Sequence, residues 1–175
     1  DEGPSKSVVT TFVNLYKQGF IYRGERIANW CIRCSTALSD LEVKYVNQEG
    51  ELYHIKYSLC DSDESVVIAT TRPETMLGDT AVAINPNDER YLNLQGKFVE
   101  LPIVGRRLPI ITDDVVDPSF GTGVLKVTPG HDPHDFEIAQ RHKIDVLNVM
   151  RPDGTMDEDT GDYFGLTVEK ARTQI

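Results

Sequence analysis

Apolar residues near the start of the chain recur at helical spacing. Val8, Val9, Phe12, Val13, Leu15 and Tyr16 fall on one side of a helical repeat, and Gly19 stands where such a helix would stop. Beyond it the pattern breaks into short runs. LEVKYV and ELYHIKYSL flank Asn47-Gln48-Glu49-Gly50, a turn-rich centre between β-type residues, and predict a hairpin. VVIATT, TAVAIN, KFVELPIV and RLPIIT are four more candidate strands punctuated by Pro, Gly, Asn and Asp. GVLKVT, after the glycines of FGTG, and IDVLNVM complete the series. Short strands in series, without the long helical patterns of βαβ units, predict a closed or nearly closed barrel, because closure removes exposed edges. The expected fold class is β-rich α+β: a mixed β-barrel core decorated with short helices.

The clearest helix start is HDPHDFEIAQRHK. Asp132 has the chemistry of a cap, Pro133 fits the first helical position, and Asp135 falls three residues after the cap, beside the positive end of the helix dipole. Phe136, Ile138 and Ala139 then face inward. His131, Asp132, His134 and Asp135 are also metal-ligand types, and both readings stand at this point. From Arg151 the chain turns acidic and turn-rich, which predicts a loop leading to a last short helix.

With 175 residues the chain has enough length for one domain with a sizeable core, expected to run over 1–175 with an entry segment over 1–45 and an acidic exit segment over 151–175. Twenty-eight acidic against 18 basic residues give a formal charge of −10, which excludes a broad electrostatic grip on a nucleic acid duplex and leaves only local contact. The clusters Arg106-Arg107 and Arg141-His142-Lys143 read as solvated charge. Three cysteines are too few and too odd for a disulfide framework and point to a reducing compartment, with a cytoplasmic location expected. No apolar run has the length of a membrane span, and DEGPSKS lacks the layout of a signal peptide.

Familiar catalytic layouts are absent: there is no G-x-S-x-G elbow, no phosphate-binding G-x-x-x-x-G-K loop and no dinucleotide fingerprint. Cys31-Ile32-Arg33-Cys34 has the spacing of half a zinc site, which His54 and Cys60 complete only with unusual geometry. The remaining concentration of chemistry is Thr70, Thr71, Arg72 and Thr75, where an apolar strand ends in hydroxyls and one cation. Phe120, Lys126 and Thr128 are expected on a second strand that runs into Asp132 and Asp135, with alternation placing Lys126 and Thr128 on one face. Neighbouring strand ends of this kind make a small polar pocket with a carboxylate at its rim, suited to a ligand bearing an ammonium.

IATTRPETMLGDTAVAINPNDERY together with FGTGVLKVTPGHDPHDFEIAQRH closely resembles the editing domain inserted in the class I valyl-tRNA synthetases, and IYRGERIANWCIRCSTALSDLEVKY resembles the entry to that insertion. The likeness spans nearly the whole chain. The isoleucyl insertion departs from R-P-E-T after the threonines, and the leucyl one tends to R-P-D-T. The resemblance implies a β-barrel decorated by helices, excised from a larger synthetase, that hydrolyses the ester of tRNA(Val) mischarged with threonine, with threonyl-adenylate as a second candidate substrate. The need is physical: a valine pocket cannot strongly reject an isostere carrying a hydroxyl, a limit of which this enzyme class is itself a standard example.

By resemblance, Asp135 holds the substrate's α-ammonium, a role suited to a charge-assisted hydrogen bond. Lys126, Thr128 and Asp132 select the side chain, Thr70, Thr71 and Arg72 cradle the terminal adenosine and the ester, Phe120 forms a wall, and Thr75 and His131 join the substrate-binding set. Asp135, Thr70, Thr71 and Lys126 form the expected catalytic group. Editing itself is expected to use no cofactor. The parent enzyme would use ATP and magnesium, with zinc at Cys31 and Cys34 once a second cysteine pair follows Ile175. H-I-G-H and K-M-S-K-S are absent, so no amino-acid activation is expected of this chain. The expected partners are the 3′ end of the mischarged tRNA and the remainder of the synthetase, with no membrane. The alternatives are an isoleucyl- or leucyl-type editing domain, a noncatalytic tRNA-end or protein-docking module, and a metal hydrolase.

Overall fold

The computed structural model describes residues 1–175. In chain order it contains α1 (Glu2–Lys17), β1 (Asn29–Cys31), β2 (Thr36–Leu38), β3 (Tyr53–Leu59), β4 (Ser65–Thr70), β5 (Ala81–Ile84), β6 (Phe98–Glu100), β7 (Arg107–Thr112), β8 (Val124–Val127), α2 (Pro133–His142) and α3 (Val168–Gln174). Short 3-10 turns fill several connections, of which Pro73–Gly78 matters most below.

Six strands form one sheet in the order β4-β3-β6-β7-β5-β8, antiparallel throughout except for the parallel pair β5 and β7. The edge strands β4 and β8 come together, so the sheet is a nearly closed barrel of mixed strands. Gly121, in the loop before β8, permits that approach: its φ is +58°, and a Cβ there would stand 2.9 Å from the Cβ of Ala69.

Alternation along β5 builds two layers of core. Val82 and Ile84 point into the main cluster with Tyr57, Ile68, Leu77 and Leu108. Ala81 and Ala83 point the other way and, being small, let α2 settle on the sheet through Ile138 beside Val127. The expected start of α2 is observed: Asp132 accepts hydrogen bonds from the backbone N–H of His134 at 2.8 Å and of Asp135 at 3.2 Å, and Pro133 opens the helix.

Two strand expectations fail. ELYHIKYSL becomes β3, but its partner is β4, with Ile55 opposite Ile68 and Tyr57 opposite Val66. LEVKYV lies outside every sheet, with Leu41 98% exposed. β4 offers β3 an alternating partner whose Val66 and Ile68 are buried, whereas Leu41, Tyr45 and Val46 of LEVKYV stand in solvent. IDVLNVM is not a strand either. It has no regular secondary structure and makes one bridge, between Met150 and Met156, while Val149 donates its N–H to the His131 ring instead of to a ladder. Gly130 is required beside it, because a Cβ there would lie 2.2 Å from the carbonyl oxygen of Leu147.

Candidate functional site

Val124, Lys126 and Thr128 share the barrel-facing side of β8 and its continuation, with Val82 directly opposite Lys126 on β5. An ammonium in that position needs anions or hydroxyls around it. It has them: Lys126 Nζ donates to Thr75 Oγ1 at 2.8 Å and to Thr128 Oγ1 at 2.5 Å, and stands 3.5 Å from Asp79 Oδ1. Thr128 in turn donates to Asp79 Oδ1 at 2.5 Å, and the Tyr57 hydroxyl donates to Asp79 Oδ2 at 2.7 Å. All three donors of the ammonium thus have partners within the protein. Burial pushes the Asp79 carboxyl up, opposed by the Lys126 charge and the hydroxyl donors. The result is a satisfied polar floor inside an apolar barrel.

Asp135 stands above this floor. Its Oδ2 accepts the backbone N–H of Thr128 at 2.8 Å, while Oδ1 has no protein partner and is not sealed from solvent. Burial pushes its carboxyl up to about 6, with the Asp132 charge adding to the shift and the Thr128 N–H opposing it. The helix N-terminus that holds Asp135 is therefore a rim with one open acceptor.

The turn after β4 closes the other side. Thr70 Oγ1 accepts from the Arg72 N–H at 3.1 Å, and Thr75 Oγ1 donates to the Arg72 carbonyl at 3.0 Å, so the hydroxyls brace the bend that ends the strand. Thr71 is exposed at its tip. The Arg72 guanidinium reaches across to the carbonyl oxygen of His131 at 3.0 Å, tying this turn to the segment that leads into α2.

Asp135, Thr128, Lys126, Thr75, Arg72 and Thr70 are therefore brought together in one hydrogen-bonded set. Three other residues sit differently. His131 joins through its carbonyl, and its ring Nε2 accepts the Val149 N–H at 3.0 Å; burial and the Arg72 and Lys126 charges lower its pKa to about 4, so the ring is neutral and structurally engaged. Asp132 spends one carboxylate oxygen on the helix cap. Phe120 lies in the loop before β8, not on a strand, with 70% of its surface exposed, since the turn through Gly121 and Gly123 carries it off the sheet.

The sequence reading passed over Asp79, Tyr57, Glu74 and Arg172. A lysine on the inward face of a strand calls for a counterion, and Asp79, just before the buried run of β5, was available. Glu74 is fully buried; Arg172 donates to its two oxygens at 2.9 and 2.6 Å. A groove of about 790 Å³ opens from Arg72 and His131 toward Arg26, Trp30 and Arg151.

On the small β1–β2 hairpin, Cys34 N–H approaches Cys31 Sγ at 3.4 Å and helps lower the Cys31 thiol below its usual value. Two thiols on such a knuckle fit half of a tetrahedral site. No cluster of three or more His, Cys, Asp or Glu is arranged to hold a metal ion, so neither the His131–Asp135 stretch nor His54 and Cys60 supply the rest.

Residues 1–164 match the family model of the class I tRNA synthetases (I, L, M and V). The chain belongs to that family. Over all 175 residues it is 56% identical to a valine–tRNA ligase of Halalkalibacterium halodurans, 54% to one of Fervidobacterium nodosum and 53% to one of Thermotoga maritima. It spans 20% of the length of each of these synthetases. The LeuRS–tRNA–LeuAMS ternary complex of Agrobacterium radiobacter superposes with a TM-score of 0.55 at 22% identity, covering 68% of this chain and 17% of that one, which bears on the barrel fold. The nearly closed mixed barrel is thus a region of a class I synthetase.

Proposed function

We propose that this synthetase region hydrolyses the ester of threonine wrongly attached to tRNA(Val), with threonyl-adenylate as a second substrate. The observation that carries the reading is the open Oδ1 of Asp135 at the rim of a floor in which Lys126, Thr75, Thr128, Asp79 and Tyr57 are paired with one another. A carboxylate so placed takes an α-ammonium by a charge-assisted hydrogen bond. The substrate side chain then faces Thr128 and Lys126, where a hydroxyl exchanges into the existing hydrogen bonds and a methyl leaves buried polar atoms unpaired. Thr70, Thr71 and Arg72 hold the ribose end, with Phe120 and the groove toward Trp30 beside it.

The ester is already reactive, so the chemistry required is placement of a water. Anchoring the ammonium on Asp135 and the ribose on the threonine turn fixes the carbonyl and restricts the line of attack. A backbone N–H of that turn is the natural donor to the developing oxyanion, because the donors of Lys126 are committed in the free protein. A ribose hydroxyl of the substrate shares the work of the base. ATP and magnesium belong, on this reading, to amino-acid activation elsewhere in a parent synthetase. Cys31 and Cys34 would hold half of a zinc site that stiffens the β1–β2 knuckle.

The test is direct. This chain should clear threonyl-tRNA(Val) and spare valyl-tRNA(Val), and Asp135→Ala should abolish the clearance. Equal rates on the two esters, or an Asp135→Ala variant as active as the parent, sinks the reading.

A further inference from the structure

Glu74 is a fully buried carboxylate next to the threonine turn, and two arginines from distant parts of the chain approach it. Arg172 comes from α3, which is pinned to the core by Ala171. Its Nε donates to Oε2 at 2.9 Å and its Nη2 to Oε1 at 2.6 Å, a bidentate pair. Burial alone would push the Glu74 carboxyl up, but the Arg172 hydrogen bonds, a backbone N–H and the charges of Arg172 and Arg72 together outweigh it and hold it below its usual range, so the group is an anion. Arg72 is the second cation. Its Nε is held off at 3.7 Å from Oε1, beyond hydrogen-bond distance, while its Nη1 reaches His131 and nearly half of its surface is exposed.

These distances describe a competition. A buried carboxylate must be satisfied, and one that loses a bidentate partner takes the nearest other donor. Here that donor is Arg72. We propose that Arg172 is a positioning residue for the site: by occupying both oxygens of Glu74 it leaves the Arg72 guanidinium at the mouth, available to the nucleotide end of the substrate. The proposal rests on the editing reading for its consequence and on the Arg172–Glu74–Arg72 geometry for its substance.

The test is a double-mutant cycle on this chain. Arg172→Ala should raise KM for threonyl-tRNA(Val) by about tenfold or more, the size of one charge-assisted hydrogen bond, with a smaller change in kcat. Adding Glu74→Gln removes the charge that captures Arg72, so the double variant should recover most of that loss. A purely structural clamp gives the opposite order, with the double variant no better than Arg172→Ala, and that result overturns the proposal. A second readout does not depend on turnover: heteronuclear NMR of the Arg72 Nε–H should show a shifted signal with slowed exchange in Arg172→Ala and a return toward the parent in the double variant. An unmoved signal overturns the proposal even if the parent is active. An inactive parent sinks the editing reading while the Arg72 signal still judges the clamp. Should Arg172→Ala unfold, Arg172→Lys, which keeps the charge without the parallel N–H pair, should move the signal the same way by less; no movement overturns the proposal.

Discussion

Residues 1–45 and the barrel body solve opposite problems. In the first region apolar residues lie outside: Val8 is 69% exposed and Phe12 56%, and no residue of α1 is buried. In the body ions lie inside, with Glu74 and Asp79 at 0% exposure. Periodicity is enough to shape a helix, but burial needs a second surface, and α1 meets none within this chain. Charge is tolerated inside the barrel because each ion has fixed partners: Tyr57, Thr128 and Lys126 around Asp79, and Arg172 around Glu74. Hydrophobicity says what a residue would gain from burial; partners decide whether it is buried.

The contrast is broken most severely by removing an ion's partner in the body. Asp79→Ala leaves Lys126 buried without its anion and Tyr57 without its acceptor, and should destabilise the chain by about 3–5 kcal/mol in denaturant titration. A loss under about 1 kcal/mol would mean that the floor is not held by that carboxylate.

Next in size is Asp135, whose open oxygen makes it a charge the fold does not fully satisfy. Its pKa is raised to about 6, so the folded protein binds the proton more tightly than the unfolded chain, and its contribution to stability falls as pH rises from about 4 to about 6. Asp135→Asn should therefore stabilise the chain at neutral pH, by about 1–3 kcal/mol, and lose that gain near pH 4. His131 runs the other way: lowered to about 4, its contribution is complete above the ordinary histidine range and is lost as pH falls toward 4. The two slopes oppose each other between about pH 4 and 6, so Asp135→Asn should also steepen the loss of stability on acidification, as thermal melts across that range will reveal.

The same carboxyl sharpens the functional side. An ammonium needs the ionised form, so kcat/KM for threonyl-tRNA(Val) should fall about tenfold per pH unit below about 6, and a flat profile would remove Asp135 from substrate binding. The smallest effect belongs to the entry segment. Phe12→Ser should change the stability of this chain by no more than about 0.5 kcal/mol, because the Phe12 ring is already exposed in the folded chain and its removal gives up little burial.

Much of the site was legible because its signals are local. The cap, proline and acid at the start of α2 follow from helix-end chemistry, and alternation alone placed Lys126 and Thr128 on one face. What escaped was pairing over distance. β3 paired forward with β4 and not back with LEVKYV, and the ions that organise the floor and the turn are joined across the chain, Lys126 to Asp79 and Arg172 to Glu74 from 98 positions away. Nothing in the local pattern around Glu74 or Arg172 announces the other.

The sequence by itself determined the helix at HDPHDFEIAQRHK, the run of short strands and the residue types of a polar pocket, because capping, turn chemistry and side-chain alternation act over a few residues. Only the tertiary structure decided which strands pair, which carboxylates go inside and which arginine remains at the mouth. Those outcomes depend on competition among distant groups for the same partners, and that competition exists only once the barrel has closed.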